Sequence, residues 1–459
     1  MTQGHEHHDH EHHAGEASGG PGFASPQDAI QNAPREQFVY VSGLYEGTGV
    51  NEPDFLAVVD VNPDSDTYSQ FIHRTSMPNV GDELHHYGWQ ACSSAHGCNH
   101  IGRDNLVVPG FRSSRIHILN VSSDPRKPEI AKVIEPDEII QKTGYTRPHT
   151  VHCMPGDIVT ISMLGNKDGN APGGFAVLDA QTFDVLGRWE EDKGDQELMY
   201  DFWYQPRKNF MLSSEWAEPN TFEPGFQLED VQAGKYGHRL HIWDLEKRTH
   251  QQSIDLGETG LVPLEVRWLH NPDAEEGFVA ATLSSTLWHV HKNGQWAADS
   301  VVAVDPIELE GWPIPVPGLI TDQLISMDDR YLYFSNWFHG DLRQYDISDP
   351  AHPRLNGQLQ LGGLQKQGRH GERVLDGGPQ MIQMSMDGRR LYVTNSLYST
   401  WDNQFYPNLE SWLLKVDIAE DGTMSLDESF YVDFSVLPGR PRAHEIHLPG
   451  GDVTTEIFS

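Results

Sequence analysis

Cysteine is scarce, with three in 459 residues. Three thiols cannot build the multi-bridge framework of a small secreted protein, and their scarcity fits a reducing compartment. Positive charge is also short: 67 Asp plus Glu stand against 32 Lys plus Arg, a formal net charge of −35. Such a surface repels phosphate backbones and anionic bilayers, which excludes sequence-general nucleic-acid binding. No apolar run approaches the ~20 residues that a membrane helix needs, so no membrane insertion is expected. The N-terminal stretch lacks the apolar core of a signal peptide. These absences read as a soluble cytoplasmic protein, although a periplasmic location and a homo-oligomer are both compatible with them.

What is present argues for a packed core. Aromatics make up 10% of the chain and tryptophan occurs twelve times, too much apolar surface for a disordered chain. The length suits one large domain or two to three ordinary ones.

The opening "MTQGHEHHDHEHHAGEASGGPG" is the exception, with six histidines between His5 and His13 mixed with acids. It has nothing apolar to bury, so residues 1–33 are expected to be disordered. Engineered tags are usually unbroken histidine runs. This interleaved segment reads instead as a metal-collecting tail for Cu, Ni or Zn.

The remaining chain, 34–459, repeats itself. A short β-rich run ends in a hydrophobic-Asp/Asn-hydrophobic step before a polar turn, as in "FLAVVDVNP", "SRIHILNVSSDP" and "GGFAVLDAQT". The marker residues are Asp60, Asn120, Asp179, Asp244, Asp305, Asp346 and Asp417, roughly 60 residues apart, with "DSVVAVDPIE" at Asp305 the weakest copy. A second pattern, clearest in "SMDDRYLYFSN" and "SMDGRRLYVTN", reads as strand, tight turn, strand. Many strands at a fixed repeat and few helical periodicities predict an all-β protein, a seven-bladed β-propeller. A β-sandwich or tandem β-domains would need a linker, and none is visible. The strands from "SFYVDFS" onward are expected to complete the first blade.

Two distant segments share the layout H-x-x-H-x-x-x-x-D behind an Arg-Pro step. One holds His149, His152 and Asp157, the other His444, His447 and Asp452. In a propeller the innermost strands line a central channel, so equivalent positions on different blades converge and can share one ion. Side chains alternate along a strand, so only one histidine of each pair is favoured unless the strand bulges. His149 and His444 are the preferred ligands, together with the adjacent His85 and His86. His152 and His339 are further candidates. His270 and His447 read better as hydrogen-bonded structural residues.

The stretch "DELHHYGWQACSSAHGCNH", Asp82 to His100, also carries Cys92, His96, Cys98 and His100. A structural zinc site, a Cys92–Cys98 disulfide and ordinary packing all remain open there; the spacing matches no standard zinc template. Cys153 reads as a core or ligand-supporting thiol.

Longer segments carry a resemblance. "DELHHYGWQACSS", "YDFWYQPRKN", "GLITDQLISMDDRYLYFSNWFHGDLRQYDISDP", "GGPQMIQMSMDGRRLYVTNSLYSTWDNQFYP" and "AHEIHLPGGD" resemble the selenium-binding protein family from about Arg35 to the C-terminus. The bacterial members most similar to the chain are methanethiol oxidases. The resemblance implies a β-propeller and a copper-dependent oxidase that turns methanethiol, O2 and water into formaldehyde, hydrogen sulfide and hydrogen peroxide. The family's histidine motifs fall on His85 and His86, on His149 and His152, on His339 and on His444. Animal relatives carry a cysteine implicated in selenium attachment where this chain has Ser69, and a second thiol where it has Ala95.

The implied chemistry needs a base for the thiol or the water, and Glu445 and Asp322 are the candidates. The partners would be a small-molecule thiol and O2. Two rivals are a propeller that carries metal or selenium without turnover, and a Ca²⁺ or Zn²⁺ lactonase, whose site would be richer in carboxylates.

Overall fold

The fold is known from a computed structural model that describes residues 21–312 and 314–459. Seven antiparallel four-stranded sheets follow one another along the chain, the blades of a β-propeller, with a small two-stranded ribbon at Arg369–Val374. From the centre outward, blade 1 comprises Arg442–His447, Phe38–Leu44, Phe55–Asp60 and Phe71–Ser76. Blades 2 to 7 begin at the innermost strands Gly88–Trp89, Tyr145–Met154, Phe202–Gln205, Pro263–Trp268, Ile320–Ile325 and Ile382–Met384. Innermost strands are buried almost throughout, while outermost strands such as Arg354–Gln360 are half exposed. The third strands are buried on both sides, which is why they read as near-continuous apolar runs.

The marker residue has a physical role. Asp60, Asn120, Asp179, Asp244 and Asp346 each accept a hydrogen bond from a backbone N–H two or three residues on, closing the turn that leaves the third strand. Asx side chains are favoured at such turns for this reason. The second pattern works alike: Asp328 and Asp387 accept from the N–H of Arg330 and Arg389 and from the hydroxyls of Ser326 and Ser385.

Closure of the ring is covalently discontinuous. Arg442–His447, near the C-terminus, pairs with Phe38–Leu44 near the N-terminus, with Tyr40 opposite His447 and Val41 opposite Ile446. This removes the exposed edges that an open array would leave. Side chains also stitch neighbouring blades. Asp201 and Asp322 accept the Val266 and Ile382 N–H groups of the next blade, and Ser214 and Ser335 donate to the Leu264 and Gln380 carbonyls. Each such bond contributes about 0.5–1.5 kcal/mol.

Three expectations need correction. Asp305 lies beyond the outermost strand of blade 5, Gln295–Ala303; the third strand is Thr286–Asn293. His289, His291 and Lys292 break the apolar pattern of that strand, whereas the alternating valines of its outer neighbour imitate it. "SFYVDFS" belongs largely to Met424–Asp433, the outermost strand of blade 7, so only Arg442–His447 completes blade 1. The expectation of disorder fails at residues 26–32. Pro26–Asn32 is a helix capped by Ser25 and started by proline, and its Ala29 packs with Met327, Met386 and Ile418 between blades 6 and 7. Proline at the first helical turn and a serine N-cap are the expected start signals. The histidines of 5–13 lie outside the described residues. No helix among the described residues is long and apolar enough to cross a membrane.

Candidate metal centre

Four imidazoles meet at the propeller axis. His85 and His86 precede the innermost strand of blade 2, His149 lies on that of blade 3, and His444 on that of blade 1. Ring centroids are 4.1 Å apart for His85–His444, 4.2 Å for His86–His149, 5.7 Å for His85–His149 and 5.9 Å for His86–His444. His86 also lies 3.6 Å from Glu265 of blade 5. Blades 2 and 5 are not neighbours, so this contact is possible only at the centre of the ring.

Backbone irregularities aim these side chains. The pairing register shifts between Pro148 and Val151, around His149, and between Val41 and Gly43, opposite His444 and Glu445. A bulge inserts an extra residue and so redirects the side chains beyond it. Left-handed backbone at Glu83 (φ 52°) and Arg147 (φ 60°), each two residues before a histidine, turns the chain toward the axis. Glu83 is held in place by Arg112 and by the backbone and hydroxyl of Ser399. Burial opposes its charge, yet His85 and Arg112 bring its carboxyl down to about 2.

Three of the imidazoles are held in the neutral form. Burial, then repulsion from one another, pushes His86, His149 and His444 well below the usual histidine range. His444 Nδ1 donates to the Ser396 carbonyl at 2.7 Å, which leaves Nε2 bare. The Nε2 atoms of His85, His86, His149 and His444 are all buried without a hydrogen-bond partner, as are Glu265 Oε1 and Glu445 Oε2. An unpartnered buried polar atom costs about 1–3 kcal/mol, so this many at one point is expensive unless a ligand satisfies them. Donor atoms of His85, His86 and His149 lie within 4.8 Å of one another, as do those of His86, His444 and Glu445. This nitrogen-rich set, with few oxygens, fits a borderline or soft transition metal better than Ca²⁺.

Beneath the cluster lies a cavity of about 30 Å³ lined by His86, His152, Glu265, Arg267, Glu445 and His447, room for a molecule the size of water. Arg267 bridges Asp201 (3.0 Å) and Glu265 (2.9 Å). Burial, then the neighbouring Asp201 carboxylate, raises Glu265 well above the usual carboxyl range, against the pull of Arg267. Burial likewise raises Glu445, whose Oε2 stands 3.3 Å from His86 Nδ1 and whose Oε1 takes a hydrogen bond from His447 Nε2 at 3.1 Å. His447 donates its other N–H to Asp452 at 2.8 Å. Burial opposes its charge, but Asp452 and Glu445 push it up to about 10.

The other candidates fall elsewhere. His152 packs against Phe202 and Trp203 and borders the cavity. His339 is in blade 6, its Nε2 bonded to the Val316 carbonyl. Asp322 reaches the axial channel, but its oxygens accept the N–H groups of Gln323 and Ile382. His270 and His447 are hydrogen-bonded, as expected of structural residues. The thiols hold a correction: Cys92 is joined to Cys153, 61 residues on, and Cys98 is free. The loop after blade 2's inner strand lies against blade 3, so Cys153 is nearer in space than Cys98. The sequence reading missed Glu265, Arg267 and Asp201. The available signal was a Glu and an Arg inside the otherwise apolar strand "PLEVRW".

Fold and site together define a seven-bladed β-propeller with a buried imidazole cluster on its axis. The family model described as 56kDa selenium binding protein (SBP56) matches residues 17–459, and the chain belongs to that family. A methanethiol oxidase of Xenopus laevis is 50% identical over 465 residues, covering 96% of this chain and 98% of its own. Selenium-binding protein 3 of Arabidopsis thaliana is 47% identical over 467 residues, covering 96% and 97%. The X-ray structure of a hypothetical selenium-binding protein from Sulfolobus tokodaii superposes with a TM-score of 0.91 at 46% identity, covering 95% of this chain and 98% of that one.

Proposed function

We propose that this protein is a copper-dependent methanethiol oxidase: methanethiol, O2 and water give formaldehyde, hydrogen sulfide and hydrogen peroxide. The observation that carries the reading is the set of four unpartnered Nε2 atoms at the axis, in a chain about half identical to proteins named for that activity. His85, His86, His149 and His444 would hold the metal. Copper supplies one-electron redox chemistry between a thiol and O2, which imidazole ligands support and zinc lacks.

The chain's own groups have distinct tasks. Aromatic rings wall the cluster: Phe111 stands 5.1 Å from His85 and Tyr200 4.3 Å from His149. They exclude bulk water and favour a small apolar thiol over a charged one. Glu445 Oε2, unpartnered and raised in pKa by burial, is the base that takes the proton of the thiol or the attacking water. A carboxyl tuned toward neutrality suits that role. His447, on the other oxygen, fixes the orientation of this carboxylate. Asp322 is less suited, since its oxygens are committed to backbone N–H groups.

A non-catalytic metal or selenium carrier is the second reading, favoured by the name of the Arabidopsis relative. Attachment of selenium at position 69 has no thiol to use: the residue is serine, and its hydroxyl exchanges hydrogen bonds with the Tyr431 backbone. The test is stripping copper with a chelator, then restoring it, while formaldehyde, sulfide and peroxide are measured together. Activity lost and regained in step with copper supports the oxidase. Turnover unchanged without copper, or none with it, refutes it.

A further inference from the structure

A second cluster of metal-ligating side chains lies outside the axis, at the outer edge of blade 4. His241 is on the third strand, Arg239–Asp244, and His250 and Ser253 are on the outermost strand, Thr249–Asp255. Asp195 arrives from the connection between blades 3 and 4. We propose that Asp195, His241 and His250 form a binding site for a divalent ion of the zinc class.

Strand register brings these side chains together. His241 stands opposite Ser253, Ile242 opposite Gln252, and Trp243 opposite His250, with Gln251 bulged out. His250 and Ser253 are three positions apart, so a regular strand would point them to opposite faces. The bulge returns His250 to the face of His241. His241 Nδ1 and His250 Nε2 are 3.1 Å apart, and His250 Nε2 is 3.5 Å from Asp195 Oδ1. Two ligands about 2.0–2.1 Å from a tetrahedral zinc stand about 3.3 Å from each other. The Ser253 hydroxyl donates to Asp195 Oδ1 at 2.7 Å and fixes the carboxylate, while Arg239 lies 3.7 Å from Oδ2 and leaves Oδ1 to the site. The ring orientation of His241 is set behind it. Its Nε2–H donates to Glu215 at 2.9 Å, and Glu215 is anchored by the backbone N–H groups of His238 and Arg239. Nδ1 is thereby left as the acceptor, the carboxylate–histidine arrangement that supports metal ligands. Without an ion, a hydrogen bond between the two imidazoles holds the pair.

Blade 2 provides an internal comparison. It has the same buried pair, His117 on Asp82 at 3.0 Å. Opposite and before its bulge, however, stand Val133 and Ile130, where blade 4 has Ser253 and His250. Blades 1, 3 and 6 likewise place Phe71, Val185 and Leu355 at the position of His250. Blade 4 alone among these replaces an apolar residue with a ligand. Bound metal would pin the connection to the blade edge, where the Asp192 carbonyl already accepts from the His250 N–H and the Glu191 N–H donates to the Arg248 carbonyl.

The experiment is Zn²⁺ and Co²⁺ binding by the full-length protein and two variants. The tail and axial histidines are common to all three. Asp195 is 60% exposed, so Asp195→Asn leaves the fold intact; His250→Gln removes a nitrogen ligand. At limiting free zinc the wild type is expected to hold one Zn²⁺ more than His250→Gln, and Asp195→Asn to bind that ion at least tenfold more weakly. Ser253→Cys adds a gain of signal: a thiolate-to-Co²⁺ charge-transfer band that His250→Gln abolishes. Equal zinc content and affinity in all three proteins, or no such band in Ser253→Cys, would overturn the proposal.

Discussion

Replacing His149 by leucine should stabilise the metal-free protein. In the structure its Nε2 is buried without a partner and its Nδ1 has one contact, to Thr150 Oγ1 at 3.2 Å. Removing the orphaned nitrogen recovers about 1–3 kcal/mol, and losing the Thr150 bond costs about 0.5–1.5 kcal/mol. A leucine of similar volume keeps contact with the rings of Tyr200 and Phe111, and adds apolar burial worth about 1.5–3 kcal/mol if it fits. Packing errors subtract roughly 1 kcal/mol. The net expectation is a gain of about 2 kcal/mol, the reverse of the loss usual for a core substitution. The assay is urea denaturation of chelator-treated wild type and variant, with the transition midpoints compared at equal slope. Copper affinity is measured in parallel and should fall. A loss of more than about 2 kcal/mol would refute the reasoning, because it would mean that the imidazole packs for stability and is not held for a ligand.

Three more substitutions probe single groups around the axis. Glu445→Gln should retain copper but lower kcat by about 10²–10⁴-fold, read in a peroxide assay. Asp322→Asn can accept only one of the two N–H groups its carboxylate now holds; stability should drop by about 1–3 kcal/mol, with kcat changed less than tenfold. His447 is pushed up to about 10 by Asp452 and Glu445 against burial. A raised histidine pKa contributes stability that is full below about 6.5 and lost as pH rises through 10. Wild type should therefore lose stability between pH 6.5 and 10 relative to His447→Gln; parallel pH profiles would show that His447 is not charged in the fold.

The ring was legible because its repeat is chemical as well as apolar. Asp60, Asp179 and Asp346 close equivalent turns, so one residue type recurs at one structural place. The repeat failed at Asp305, where two histidines and a lysine interrupt the buried third strand and a half-exposed outer strand looks more regular. Spacing alone favoured His149 and His444, and the fold brings them together with His85 and His86. Alternation could not decide between His149 and His152, because the deciding feature is a bulge, which depends on the partner strand. Glu265 and Arg267 were hidden for a related reason. Glu265 reaches across the axis to His86 and Arg267 reaches Asp201 on the neighbouring blade, and no local window of sequence contains both ends of either contact. The Cys92–Cys153 pairing likewise joins two blades. Ser25, Pro26 and Asp28 carry ordinary helix-start signals, but the polar composition upstream masked them.

Whether the axial imidazoles share one copper is decided by X-ray absorption at the copper edge, on full-length wild type and His149→Leu each loaded with one equivalent of the metal. The expected result is one tightly held copper with three or four imidazole scatterers in the wild type, and a weaker site with fewer of them in the variant. Identical spectra and affinities for the two proteins would contradict the assignment.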